Sequence, residues 1–182
     1  MKAGAKTKSA GFTLTELMIA VAILGILVSM GMPSFRQMLR SAEIRSVAES
    51  VANGLQRARA EAVARNTRVR FVLTAPGGVY TTAWNVWALD NTTIDSRNSD
   101  EGSTVNTTLT AVAADLATAA TAITYNQLGQ VIANADASPT LARVDISAAE
   151  SVRNLRIVIG AGGSARVCDP KMAVGSNPRA GP

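Results

Sequence analysis

The stretch Gly11-Phe12-Thr13-Leu14-Thr15-Glu16, followed by sixteen uncharged residues from Leu17 to Met32 and then by Pro33, decides how this chain is read. Before it lie ten residues, polar and basic as a stretch, carrying Lys2, Lys6 and Lys8 and no acid. An ordinary secretory signal places its apolar stretch ahead of the cleavage site. Here the small residue, Gly11, precedes the apolar stretch, so a cut at Gly11 leaves that stretch on the mature chain. Phe12 to Met32 is 21 residues, or about 31 Å of helix, enough to cross a ~30 Å hydrocarbon core. The lysines favour a cytoplasmic N-terminus, which puts the remainder beyond the inner membrane.

Glu16 is the one charge near this segment. At a bilayer centre a carboxylate costs roughly 2.5–3.5 kcal/mol, and less near the end where Glu16 lies. Two readings follow from its spacing. It can snorkel to the interface of a simple anchor. Alternatively, it can pair with the α-amine that a cut would expose on Phe12, of its own chain or a neighbour, and so set the register between copies.

Working outward, Pro33 lacks an amide hydrogen and is expected to kink the helix. Beyond it, Phe35, Met38, Leu39, Ala42, Val47, Val51, Leu55, Ala58 and Ala62 fall at spacings that make one apolar stripe of an amphipathic helix ending near Asn66. Asn53-Gly54 reads as a tolerated weak point within it. The period then changes to two. Strands are expected at Val69–Leu73, Val79–Leu89, Ala122–Tyr125, Leu141–Ile146, Leu155–Ile159 and Arg166–Cys168. The Thr- and Ala-rich residues 90–122 read as a long, irregular or partly stranded connection. The expected fold is α+β: a long kinked N-terminal helix, half transmembrane and half amphipathic, packed on an antiparallel sheet. The expected organisation is a cleaved leader at 1–11, a membrane half at 12–33, an amphipathic half at 34–66 and a β-rich head at 67–182.

Composition narrows the chemistry. With no His and a single Cys, Cys168, the chain can form no intrachain disulfide, Cys/His metal site or Ser–His or Cys–His pair. No cofactor, catalytic set or enzymatic activity is expected. Asp90, Asp95, Asp100 and Glu101 read as a solvated acidic loop, since their spacing fits no EF-hand. Residues 71–142 carry six acids against Arg97 alone, while both flanks are basic. That distribution suits packing between copies better than one large nucleic-acid face.

The Gly11–Glu16 segment with its apolar helix and Pro33 resembles the class III leader of type IV pilins and type II secretion pseudopilins. It departs only at Thr15, where an aliphatic residue is more usual. Leu55–Asn66, Thr124-Tyr125-Asn126 with Gly129, and Gly163 to Pro170 resemble the GspH/FimT/FimU group of minor pilins and pseudopilins. The resemblance implies cleavage between Gly11 and Phe12 by a prepilin peptidase, N-methylation of Phe12, and docking of Glu16 onto a neighbouring pilin's amine. It implies a low-abundance subunit in the inner membrane, with its head in the periplasm, that primes or enters a pilus or pseudopilus. Type IV pilus biogenesis, type II secretion and FimT-type DNA binding at a pilus tip are the roles that follow. DNA-binding FimT members carry Gly-Arg-x-Arg; Gly163-Ser164-Ala165-Arg166 keeps only the second Arg. Arg166, Lys171 and Arg179 are the candidate DNA contacts, against a structural tail with scattered basic residues. Group members often close this tail with a disulfide, but Gly181 stands where the partner of Cys168 is expected. Cys168 then reads as a buried small apolar residue or, less readily, as an intermolecular partner.

Overall fold

The computed structural model describes residues 12–74, 82–99, 101, 107–149, 151 and 153–172. The chain divides into two compact units, 1–36 and 37–182. Helix α1 (Leu14–Ala64) begins in the first and ends in the second.

In the first unit the helix shows its apolar side chains to its surroundings. Phe12, Leu14, Leu17, Met18 and Ile19 are all more than 60 % exposed, and the pattern continues to Met32 and Phe35. Met38 and Leu39, early in the second unit, are also exposed. The stripe expected to start at Phe35 is therefore buried by the chain itself only from Ile44 onward. From there Ile44, Val47, Ala48, Val51, Leu55, Ala58 and Ala62 are sealed, at the three- and four-residue steps of one helix face.

The helix ends as the sequence expects, and for an identifiable reason. Asn66 takes a positive φ of 50°. The amide of Thr67 donates to the Ala62 carbonyl and that of Asn66 to the Val63 carbonyl, both at 3.2 Å. These two bonds form a Schellman cap, with Asn in the left-handed position that glycine usually fills.

The chain after the helix forms two antiparallel sheets rather than one. Strands β1 (Val69–Leu73), β2 (Trp84–Ala88), β3 (Thr93–Arg97), β5 (Ala122–Tyr125) and β6 (Val131–Ile132) make the first, in the order β3-β2-β1-β5-β6. Strands β4 (Thr107–Val112), β7 (Arg143–Ala148), β8 (Leu155–Ile159) and β9 (Ala165–Cys168) make the second, in the order β4-β7-β8-β9. Residues 90–122 thus contribute two full strands, β3 and β4. The strand expected at Val79–Leu89 is seen from Trp84, and Val79 and Tyr80 lie outside the described residues. The Leu141–Ile146 strand begins two residues later, at Arg143.

Alternate residues of both sheets meet the helix stripe in one core, including Val69, Phe71, Leu73, Val86, Ile123, Val144, Ile146 and Ile157. Gly54 is required there rather than merely tolerated. A Cβ on it would lie 2.8 Å from Phe71 Cε2 and 3.0 Å from the Trp84 ring. The two rings, 5.8 Å apart, press onto the helix backbone where it lacks a side chain. Trp84 then donates from Nε1 to Ser50 Oγ at 3.0 Å, satisfying its one polar atom in the core.

The segments singled out in the sequence at Leu55–Asn66, Thr124–Gly129 and Gly163 converge at one point. Arg59 on the helix donates from Nε to the Gly129 carbonyl at 3.0 Å. Gly129 and Gly163 both hold positive φ, 71° and 81°. A Cβ on Gly163 would stand 2.1 Å from the Gly129 carbonyl oxygen and 3.1 Å from Tyr125 Cε1. This knot ties the helix to the β5–β6 turn and to the β8–β9 turn.

Candidate functional site

The start of the helix is built by a reciprocal pair of side chains. Glu16 accepts at Oε2 from the Thr13 amide at 3.1 Å and from Thr13 Oγ1 at 2.9 Å. In return the Glu16 amide donates to Thr13 Oγ1 at 3.3 Å. This is a capping box, in which residues three apart satisfy donors that a helix N-terminus leaves unpaired. Thr13-Leu14-Thr15-Glu16 carries the Thr-x-x-Glu signature directly before an apolar run. Reading Glu16 only as an anomalous charge missed it. The carboxylate also lies at the positive end of the helix dipole. Glu16 thus has local partners within one chain.

Of the other residues expected at this end, Phe12 is 89 % exposed and immediately precedes Thr13. Gly11 lies outside the described residues. Pro33 sits inside the helix, where the ring denies the Ser29 carbonyl its usual amide donor.

Of the candidate DNA contacts, two lie among the described residues. Arg166 is on β9, the edge strand of the second sheet. Lys171 is in the turn after it, its amide held by Asp169 Oδ1 at 2.9 Å. Arg179 lies outside the described residues. The register brings Arg166 together with different residues. Arg143 of β7 pairs with Val158 of β8, and Val158 pairs with Arg166. The next row on that face is Asp145, Arg156 and Cys168. Asp145 holds Arg156 at 2.6 Å and Arg143 at 3.0 Å. Three guanidiniums therefore share one sheet face with one carboxylate. Arg143 and Arg156 are 13 residues apart in sequence and lie in different strands, so only the pairing register reveals that they share a face.

Cys168 is buried and unpaired in a disulfide. Its Sγ–H donates to the Arg156 carbonyl at 3.4 Å, and burial pushes its thiol pKa up. It has the environment of a small core residue rather than of a reactive thiol. Among the described residues, no group of three His, Cys, Asp or Glu could hold a metal ion. Asp90 is instead spent on its own loop, accepting from the Thr92 amide at 3.0 Å.

A long helix with an uncovered apolar N-terminal portion and antiparallel sheets on its C-terminal portion defines the pilin class of fold. Comparison with known proteins agrees. The chain is similar to a crystal structure of the type IV minor pilin FimU of Pseudomonas aeruginosa, with 15 % identity and a TM-score of 0.54. That match covers 72 % of this chain and 95 % of that one. A second crystal form of FimU gives 13 % identity and a TM-score of 0.50, over 70 % of this chain and 97 % of that one. The family described as type II transport protein GspH matches residues 47–163, and the prokaryotic N-terminal methylation motif matches residues 6–32. No curated protein sequence matches. With well over half its length matched, the chain belongs to the GspH family of minor pilins and pseudopilins.

Proposed function

We propose that this chain is a membrane-anchored minor pilin or pseudopilin, cut between Gly11 and Phe12 by a prepilin peptidase, N-methylated on Phe12, and assembled through its N-terminal helix. The observation that carries this reading is an apolar helix start left uncovered by its own chain with one carboxylate, Glu16, held at its first turn. Residues 12–33 are read as the inner-membrane anchor, 34–66 as the amphipathic half of the helix and 67–182 as the periplasmic head. In the assembled state the Phe12 amine of a neighbour is the natural counter-charge for Glu16, since an unpaired carboxylate among apolar helices is strongly disfavoured. Pro33 is read as the joint between the two halves of the helix.

Two systems would use such a subunit. The family description, type II transport, points to the H-type place in a secretion pseudopilus. The FimU structures point to a type IV pilus. Deletion of the gene separates them by which is lost, secreted enzymes or surface pili.

The processing step is tested by mass spectrometry of the full chain from its native host. The N-terminal peptide is expected to begin with methylated Phe12. A product retaining residues 1–11 beside normally trimmed prepilins would refute the reading. Glu16→Ala is expected to remain membrane-inserted and fail to assemble; normal incorporation would remove Glu16 from the docking step.

A further inference from the structure

We infer that the second unit holds one anionic phospholipid of the periplasmic leaflet, its phosphate gripped in an arginine-lined cleft between helix α1 and the start of β8. The cleft has a volume of about 230 Å³ and is lined by Ser41, Ala42, Ile44 and Arg45 of the helix and by Arg153 and Leu155. Two guanidiniums thus border it, and no carboxylate is among its described lining residues. Arg45 is exposed and makes no hydrogen bond or ion pair with any described residue. Arg153 is tethered through Nε to Asp169 Oδ2 at 3.4 Å, which leaves the rest of its planar fork of donors for a ligand. Asp169 and Glu49 line the adjoining cavity, of about 290 Å³, beside Val167 and Cys168 of β9.

Guanidinium forks match the oxygens of a phosphate, with two parallel N–H donors from each. The apolar part of the lining selects a lipid over a free anion. Ala42, Ile44 and Leu155 make up half of it, and an inorganic ion has no use for them. The helix wall also continues as an apolar surface. Met38, Ser41, Ala42 and Arg45 stand at steps of three, four and seven, on one side of the helix. Met38 and Leu39 are 72 % and 54 % exposed, so uncovered apolar side chains lead to within two residues of Ser41. An acyl chain laid along them ends where the guanidiniums begin. The inference rests on the anchor proposed above. The helix wall of the cleft begins eight residues after Pro33, so the chain itself keeps the cleft close to the bilayer surface. Long arginine stems then carry their charged heads to the phosphates.

The experiment uses the full chain and separates anchor from cleft. Flotation with phosphatidylcholine vesicles tests the anchor; a chain that fails to float has none, and the inference falls with it. Native mass spectrometry then reads the cleft, with the chain released from micelles doped with equal amounts of phosphatidylglycerol and phosphatidylcholine. A single retained phosphatidylglycerol is expected, favoured about fivefold or more over phosphatidylcholine. Arg45→Gln breaks no bond within the described residues. It is expected to float and to unfold as wild type does, and to lose about fivefold in retention of phosphatidylglycerol. Arg45→Glu is expected to abolish the preference. Equal retention of the two lipids, or a preference that neither variant moves, would overturn the inference and leave the anchor standing. Displacement of the lipid by inorganic phosphate would make the cleft a free-anion site and equally overturn it.

Discussion

Arg59 and Gly129, 70 residues apart, are joined by a hydrogen bond of 3.0 Å from the guanidinium Nε to the backbone carbonyl. Through it the last turns of the helix reach the β5–β6 turn, and Gly163 of the β8–β9 turn packs against both. Gly163→Ala places a Cβ inside the radius of the Gly129 oxygen at a φ that L-residues avoid. Left-handed strain costs about 1–3 kcal/mol and the clash adds to it. Denaturant unfolding is expected to show a loss of about 3 kcal/mol or more; a loss under 1 kcal/mol would mean that the turn relaxes freely. Arg59→Ala, which leaves the carbonyl without its donor, is expected to cost about 1–3 kcal/mol.

Gly54→Ala sets two effects against each other. Alanine favours a helix interior over glycine by about 1 kcal/mol. Against that, the new methyl meets Phe71 at 2.8 Å and Trp84 at 3.0 Å, and overpacking of this kind costs about 1–3 kcal/mol. Net destabilisation is expected, together with a change in Trp84 fluorescence. A more stable variant would show that the two rings have room to move.

Asn134 is buried and fully used. It accepts from Thr124 Oγ1 at 2.8 Å and donates to the Ala122 and Ser138 carbonyls at 3.2 and 3.1 Å. It thereby pins the loop after β6 across the first sheet. Asn134→Ala is expected to cost about 1–3 kcal/mol, because buried partners lose their bonds. It is also expected to raise amide exchange in residues 134–140, which hydrogen-exchange mass spectrometry reads directly.

Asp136 supplies an acid-sensitive tie in the same loop. Ser138 and then Arg70, the latter at 2.6 Å, bond its carboxylate and lower its pKa to about 2. A depressed carboxylate stabilises the fold above its unfolded pKa of about 3.9, and that contribution fades as pH falls towards about 2. Wild type is expected to lose more stability across that window than Asp136→Asn, measured by thermal unfolding at each pH. Parallel curves would show that the pair contributes nothing.

The elements marked by strong periodicity were readable in advance. The helix from the leader to Asn66, and strands such as Leu155–Ile159, follow from spacing alone. Strands β3 and β4 were not, because Thr93–Arg97 and Thr107–Val112 are rich in Thr and polar residues and show little alternation. The expected single sheet became two because strand order depends on long-range pairing that periodicity does not encode. Gly54 looked like a flaw because helix propensity is local, whereas the rings that need its missing side chain arrive from β1 and β2. Glu16 was noticed for its charge, yet its bond to Thr13 was visible in the four residues Thr13–Glu16. The arginine row could not be foreseen without register, and Lys171 shares none of it.

Phe35, Met38 and Leu39 remain bare past the length of helix that lipid would clothe. A solitary molecule drawn outward would wet these side chains along with the whole greasy stem behind them. On the proposed reading, departure from the bilayer would therefore be a group act, each copy exchanging acyl chains for the flanks of its companions in the same movement.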